Sequence, residues 1–212
     1  DSAEELASMI RIGALPVELK EVQSQVVGAQ LGQDAIQSSL LAGAIGFALV
    51  VLFMIVFYRL PGLAASIALV FYLVVMLVGL NALDITLTLP GVAGIILNIG
   101  MAVDANVIIF TRIKEELAKG KTVQSSIKLG FDKALSAIVD GNVTTLIAAF
   151  VLYIKGSGTV KGFATTLAIG IILSMFTALY ITKILLKAMY ALGVDDIKYF
   201  GVEKRFTLLK IK

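Results

Sequence analysis

The sequence predicts an all-α integral membrane protein, a bundle of five transmembrane helices. Three observations carry that prediction. Of the 212 residues, 58% are hydrophobic and only 16% are charged. The mean hydropathy is +0.96, far above a soluble domain, in which about 45–50% of residues are apolar. The charges also collect between long uncharged stretches, as they do when apolar spans alternate with wet connections.

The elements follow in order. Residues 1–37 are mixed and polar, and read as a lead-in to the membrane. The chain opens on Asp1 with no visible signal peptide, so a longer protein with an upstream part is expected. The first span is predicted from about Ser38 to Tyr58, ending at Arg59. Pro61-Gly62 is expected to make a tight turn, because proline pre-sets φ and glycine relaxes the backbone. The second span covers 61–80, and Asn81–Thr88 forms a short polar loop. The third span covers 89–111, with Pro90 in its first turn, where a missing N–H costs least. Residues 112–133 form a charged connection. Within it, Thr122 is placed to cap a short amphipathic helix that leads to Lys133. The fourth span covers 134–154, Lys155–Gly162 makes a Gly-rich turn, and the fifth span covers 163–186. The bundle is assigned to 38–192 and a basic tail to 193–212. Each span has the roughly 20 residues that cross a hydrocarbon core.

Five spans put the chain's two ends on opposite sides. One side then carries 14 Lys and Arg residues: Arg59, those of the 112–133 connection and those from Lys183 onward. The other carries Arg11, Lys20, Lys155 and Lys161. The basic side is expected to be cytoplasmic.

Composition also excludes chemistry. There is no Cys and no His, which removes disulfides, thiolate or imidazole metal sites and a histidine switch. No cofactor is expected, and the chain is not read as an enzyme. No basic stripe with interleaved aromatics suggests nucleic acid.

Two ionisable residues fall inside spans, Asp104 and Asp140. At 1.5 Å per residue they lie about 12 Å and about 10 Å from the basic end, on consecutive antiparallel helices. One shared polar layer is the natural expectation. Ser136, Asp140 and Thr144 form a single helix stripe, with Asn142 and Thr145 on adjoining faces. Gly100, on the face of Asp104, would let another backbone approach. Asn98 and Asn106 point away from Asp104. Thr166, Gly170, Ser174, Thr177 and Ala178 make a small polar stripe on the fifth span, suited to packing against the polar helices.

An intramembrane carboxylate costs about 2.5–3.5 kcal/mol on insertion scales. No Lys or Arg lies inside any span, so Asp104 has no internal cationic partner. A carboxyl that switches between neutral and charged forms can carry a proton. The coupling species would then be the proton, with Asp104 as relay and Asp140, Asn106, Asn142 and Thr144 as the supporting polar layer. Plainer readings stay open: Asp104 as interhelical hydrogen-bond glue, Asp140 satisfied by its Ser and Thr neighbours, and the Asn and Thr residues as packing groups.

The run Met101-Ala-Val-Asp-Ala-Asn-Val-Ile-Ile-Phe110, continued by Thr111-Arg-Ile-Lys-Glu-Glu-Leu117, resembles the fourth-helix signature of the SecD family. Gly13-Ala-Leu-Pro-Val-Glu-Leu19, Val27-Gly-Ala-Gln-Leu-Gly32 with Ile36, and Asp140-Gly-Asn-Val-Thr-Thr-Leu146 resemble other SecD segments in the same order. The resemblance implies that the five spans are the second to sixth helices of a SecD membrane region. They would form half of a pseudo-symmetric domain of the resistance-nodulation-division type, with residues 1–37 closing an extracytoplasmic domain. It further implies a place in the bacterial cytoplasmic (inner) membrane, SecF, the SecYEG channel, membrane lipid and exported unfolded polypeptides as partners, and proton-driven protein export. The family's intramembrane acid carries over to Asp104, near which SecF supplies an arginine. Two alternatives accompany this reading: half of a small-molecule efflux transporter of the same superfamily, or a structural scaffold of the export channel.

Overall fold

The computed structural model describes residues 3–4, 29–193 and 197–201. The chain divides into two compact units, 1–34 and 35–212. Most of the expected lead-in and tail, including the Gly13–Leu19 segment, lies outside the described residues.

The second unit is helical. Helix α1 is Ala29–Ala82, α2 is Leu89–Ala118, α3 is Val123–Lys155, α4 is Thr159–Phe176 and α5 is Thr182–Ala191. A π-helical turn, Thr177–Ile181, joins α4 to α5, and a 3-10 turn occupies Ile197–Phe200. Among the described residues four continuous helical stretches are long and apolar enough to cross a membrane: Asp34–Ala82, Leu89–Ala118, Val123–Lys155 and Thr159–Ala191. Their outward faces are lined with exposed apolar side chains such as Leu40, Leu41, Leu49, Phe150 and Ile172, and each helix satisfies its own backbone, as hydrocarbon requires.

The first and second expected spans are the two limbs of α1. The break falls at Arg59, whose φ of 52° and ψ of −117° leave the helical region, rather than at the expected Pro61-Gly62 turn. Pro61 starts the second limb, where its missing N–H is tolerated. Gly62 serves close approach instead: a Cβ there would run into the Met54 carbonyl oxygen. In a straight helix those residues would be about 12 Å apart along the axis, so the limbs fold back sharply. The first limb runs alongside α2 in the same direction. Gly43 faces Ile96, and at the other end the Lys114 ammonium donates to the Phe57 carbonyl at 3.1 Å.

Helix α2 starts as expected. Thr88 caps it by accepting from the Gly91 amide at 3.2 Å, with Pro90 in the first turn. It then continues past Thr111 to Ala118. Thr122 caps α3, but α3 is one helix from Val123 to Lys155 rather than a short amphipathic helix followed by a span. Hydrogen bonding needs no break where hydrophobicity changes.

The fifth span becomes α4, the π turn and α5. Over eight residues a regular helix drifts about 80° off a straight stripe. The turn inserts one extra residue, with the Thr182 amide reaching back to the Thr177 carbonyl. Ser174, Thr177, Ala178, Thr182 and Leu186 are consequently all buried. The bundle core is assembled from Met54, Leu69, Tyr72, Met76, Ile109, Phe110, Ile113, Phe131 and Ile138.

Gly62→Ala is expected to destabilise the bundle by about 1–3 kcal/mol or more, because a rigid carbonyl blocks the new methyl group. Gly79→Ala, with open space around the glycine, should leave thermal melting of the detergent-solubilised full-length protein unchanged or slightly raised. Equal melting of both variants would contradict the tight fold-back.

Candidate functional site

Asp104 is in the middle of α2, on an exposed side of the chain. It lines a groove of about 330 Å³ with Leu49, Val50 and Phe53 of α1 and Gly100, Val103 and Val107 of its own helix. Among the described residues no hydrogen bond or ion pair reaches its carboxylate. Gly100 is open as well, with nothing within 4 Å of where a Cβ would stand. Among the described residues the close approach expected at Gly100 is therefore not made, and the carboxylate faces outward beside a bare backbone.

Asp140 is exposed on α3. The predicted stripe is real: Ser136 donates from its hydroxyl to the Asp140 carboxylate at 3.2 Å, and the Thr144 hydroxyl to the Asp140 carbonyl at 3.0 Å. Asn142 donates to the Ile138 carbonyl at 2.7 Å. These bonds all stay on α3. Among the described residues no hydrogen bond or cavity joins Asp104 to Asp140, so the expected single layer is not assembled by direct contact in this chain.

The asparagines of α2 behave differently. Asn106 is buried and turns away from Asp104, donating to the Ala102 carbonyl of its own helix at 3.4 Å; it does not line the groove. Asn98, 1% exposed, crosses to α4, donating to the Thr166 carbonyl at 2.9 Å. Gly170 makes room for it, since a Cβ there would collide with the Asn98 amide. Gly94 faces Thr166 and Phe163 in the same way. The small polar stripe of the fifth span is thus the surface on which α2 packs.

The basic end of the bundle is organised by an acid. Glu116 is fully buried. Lys119 and Lys133 each donate to its Oε1 at 2.7 Å, and the Lys121 ammonium stands 2.6 Å from Oε2. Glu116 belongs to the charged extension of α2 beyond the span. The three ammonium groups hold its carboxyl well below the usual carboxylate range. The α1 break lies at the same end. Arg59 donates to the Lys198 carbonyl at 3.1 Å, and Lys114 is 4.5 Å from the Tyr58 ring centre. Arg59, the α2–α3 connection and the 3-10 turn therefore share one end, as the distribution of basic residues predicted.

Residues 12–191 match the family described as "Protein export membrane protein SecD/SecF, C-terminal". The chain belongs to the SecD/SecF family. It is 54% identical over 187 residues to the protein translocase subunit SecD of Acidaminococcus fermentans, covering 88% of this chain and 45% of that protein. It is 52% identical over 194 residues to SecD of Dictyoglomus turgidum, covering 92% and 49%. The chain thus spans under half the length of these curated relatives. Among solved structures, SecDF from Thermus thermophilus, a translocon-associated membrane protein, superposes with a TM-score of 0.80 at 42% identity, over 90% of this chain and 27% of that one. The architecture of this SecD/SecF chain is therefore that of the SecDF membrane domain.

The sequence of this family member does not mark Glu116 out. Its partner Lys119, three residues on, is a readable helix pair, but Lys133 is 17 residues away, brought in by the α2–α3 hairpin. The stability that the Glu116 carboxylate contributes is fully present above the ordinary glutamate pKa of about 4.3 and is lost as pH falls below it. Melting of the full-length protein is expected to weaken progressively below that pH. Glu116→Gln should melt lower at neutral pH and show a flatter acid dependence; a variant as stable as wild type at pH 7 would remove the clamp from the account.

Proposed function

We propose that this chain is the membrane part of an accessory subunit of the Sec protein translocase, which uses the proton gradient to promote protein export across the cytoplasmic membrane. Asp104 is the proton carrier. One observation carries this reading: a mid-span carboxylate exposed in a groove beside an open glycine, with no cation near it among the described residues. Membership of the SecD/SecF family supports the export role.

In this reading the partner is SecF, which covers the α1–α2 groove and brings the missing base. Proton uptake neutralises Asp104 and weakens its hold on that base; proton loss restores it. Each proton moved down the gradient releases about 2.3 kcal/mol per 100 mV, which is available to shift the two halves against each other. Asp140 with Ser136 serves as a second polar surface, while Asn106, Asn142 and Thr144 bond within their own helices. The basic end faces the cytoplasm and the N-terminal segment the opposite side. SecYEG and the emerging unfolded polypeptide are then met through parts of the longer protein.

The test is gradient-dependent protein export in vesicles carrying the full-length protein and SecF. Asp104→Asn keeps shape and hydrogen bonding but cannot ionise. It is expected to abolish the gradient-dependent step while insertion and complex assembly stay normal. Unchanged export across a range of pH would remove the proton role and leave a scaffold. Drug sensitivity without an export defect would point to efflux.

A further inference from the structure

A second basic feature lies at the Glu116 end. A cavity of about 760 Å³ opens between the first turns of α3 and the face of α5. Lys128 enters from α3, and Lys183 and Lys187 from α5, with Asp132, Tyr190 and Thr122 along the polar rim. Three ammonium groups against one carboxylate leave the cavity net positive.

The other basic side chains nearby are engaged. Lys119, Lys121 and Lys133 hold Glu116, and Arg112 pairs with Glu115 at 2.9 Å. The Lys183 ammonium lies 5.2 Å from the Phe131 ring centre, a contact with a ring face that leaves its net charge in place. Lys128 and Lys187 have no ion-pair partner among the described residues. Thr122 caps the Ser125 and Ser126 amides, so the earlier first-turn N–H groups of α3 have no acceptor within the helix. An anion would meet lysines and a helix N-terminus together.

The surface leading from the cavity identifies the anion's source. Phe176, Tyr180 and Ile184 are large, exposed and spaced along one face that continues to Lys187 and Ala191. The Phe176 and Tyr180 rings stack at 5.2 Å. A phosphate in the cavity would lay its acyl chains along this ridge. A free ion or an acidic peptide makes no use of it.

We propose that this cavity binds the headgroup phosphate of an anionic phospholipid. The lysines and the α3 amides hold the phosphodiester, and the aromatic ridge holds the chains. Such a lipid pins α3 to α5 at the membrane boundary.

The full-length protein in detergent, titrated with phosphatidylglycerol or phosphatidylcholine and read by native mass spectrometry, tests this. Wild type should retain phosphatidylglycerol in preference to phosphatidylcholine. The double variant Lys128→Gln/Lys187→Gln should retain phosphatidylglycerol roughly tenfold or more weakly. Lys128→Arg/Lys187→Arg should keep retention, and Lys155→Gln/Lys161→Gln, at the other end, should not alter it. Equal retention by the Lys128→Gln/Lys187→Gln protein, or equal retention of the two lipids, would overturn the site. Calorimetric binding of inorganic phosphate alone, with no preference between the lipids, would assign the cavity to free phosphate and overturn the lipid reading.

Discussion

The packing of α2 on α4 is the constraint from which the rest of the bundle follows. Lipid gives helices no hydrophobic reason to associate, so small residues and interhelical hydrogen bonds must do it. Here Gly94 meets Thr166 and Phe163, and Asn98 fits against Gly170 while donating to the Thr166 carbonyl. A branched side chain at any of these glycines would hold the helices apart. Once Asn98 is turned toward α4, the orientation of the whole of α2 is set. Asp104 follows six residues later and at 100° per residue points about 120° away from that contact. The groove carboxylate is therefore outward-facing as a consequence of the Asn98 contact.

The basic end is governed by a different balance. Basic residues such as Arg59, Lys114, Lys119, Lys121, Lys133 and Lys187 cannot be gathered at one end of a small bundle without mutual repulsion unless some are compensated. Glu116 takes three of them at once, and does so from a buried position that Lys133 reaches only when the α2–α3 hairpin is closed. Lys128 and Lys187 stand outside this clamp, with no ion-pair partner among the described residues. Charge on this end is sorted, with three lysines gathered on one buried carboxylate and Lys128 and Lys187 outside that cluster.

Much of this was legible in the sequence, and the failures have physical causes. Apolar runs located the helices that are long and apolar enough to cross a membrane, because hydrocarbon tolerates little else. Pro90 and Thr122 marked helix starts because caps act locally. The stripe Thr166–Gly170–Ser174 was visible as helix periodicity, and burial agrees with it. Hydrophobicity does not tell where a helix stops, so α2 and α3 extend into charged sequence that has the composition of a connection. The break at Arg59 escaped because Pro61-Gly62 is a turn signal on its own, yet here the proline begins a limb and the glycine admits the Met54 carbonyl. The π turn left no compositional mark at all. Glu116 was hidden because its decisive partner is a tertiary contact. Asp104 and Asp140 were matched by depth alone, which says nothing about rotation about the helix axis.

Rotation also decides what Asp104 must have around it. A charged carboxylate facing hydrocarbon is opposed by about 2.5–3.5 kcal/mol on insertion scales, and nothing in α1 or α2 near the groove offsets that cost. Beside it, Gly100 presents bare backbone to the same side. The two features fit one arrangement better than either fits lipid: a further helix laid closely on Gly100, with a polar or basic group at the level of Asp104. The chain covers less than half of its relatives, so such a helix belongs to a larger assembly in the proposed reading. A proton site shared across that boundary has a useful property. Neutralising the carboxyl changes the attraction between the two parts directly, so protonation and relative movement are coupled without a relay through the core.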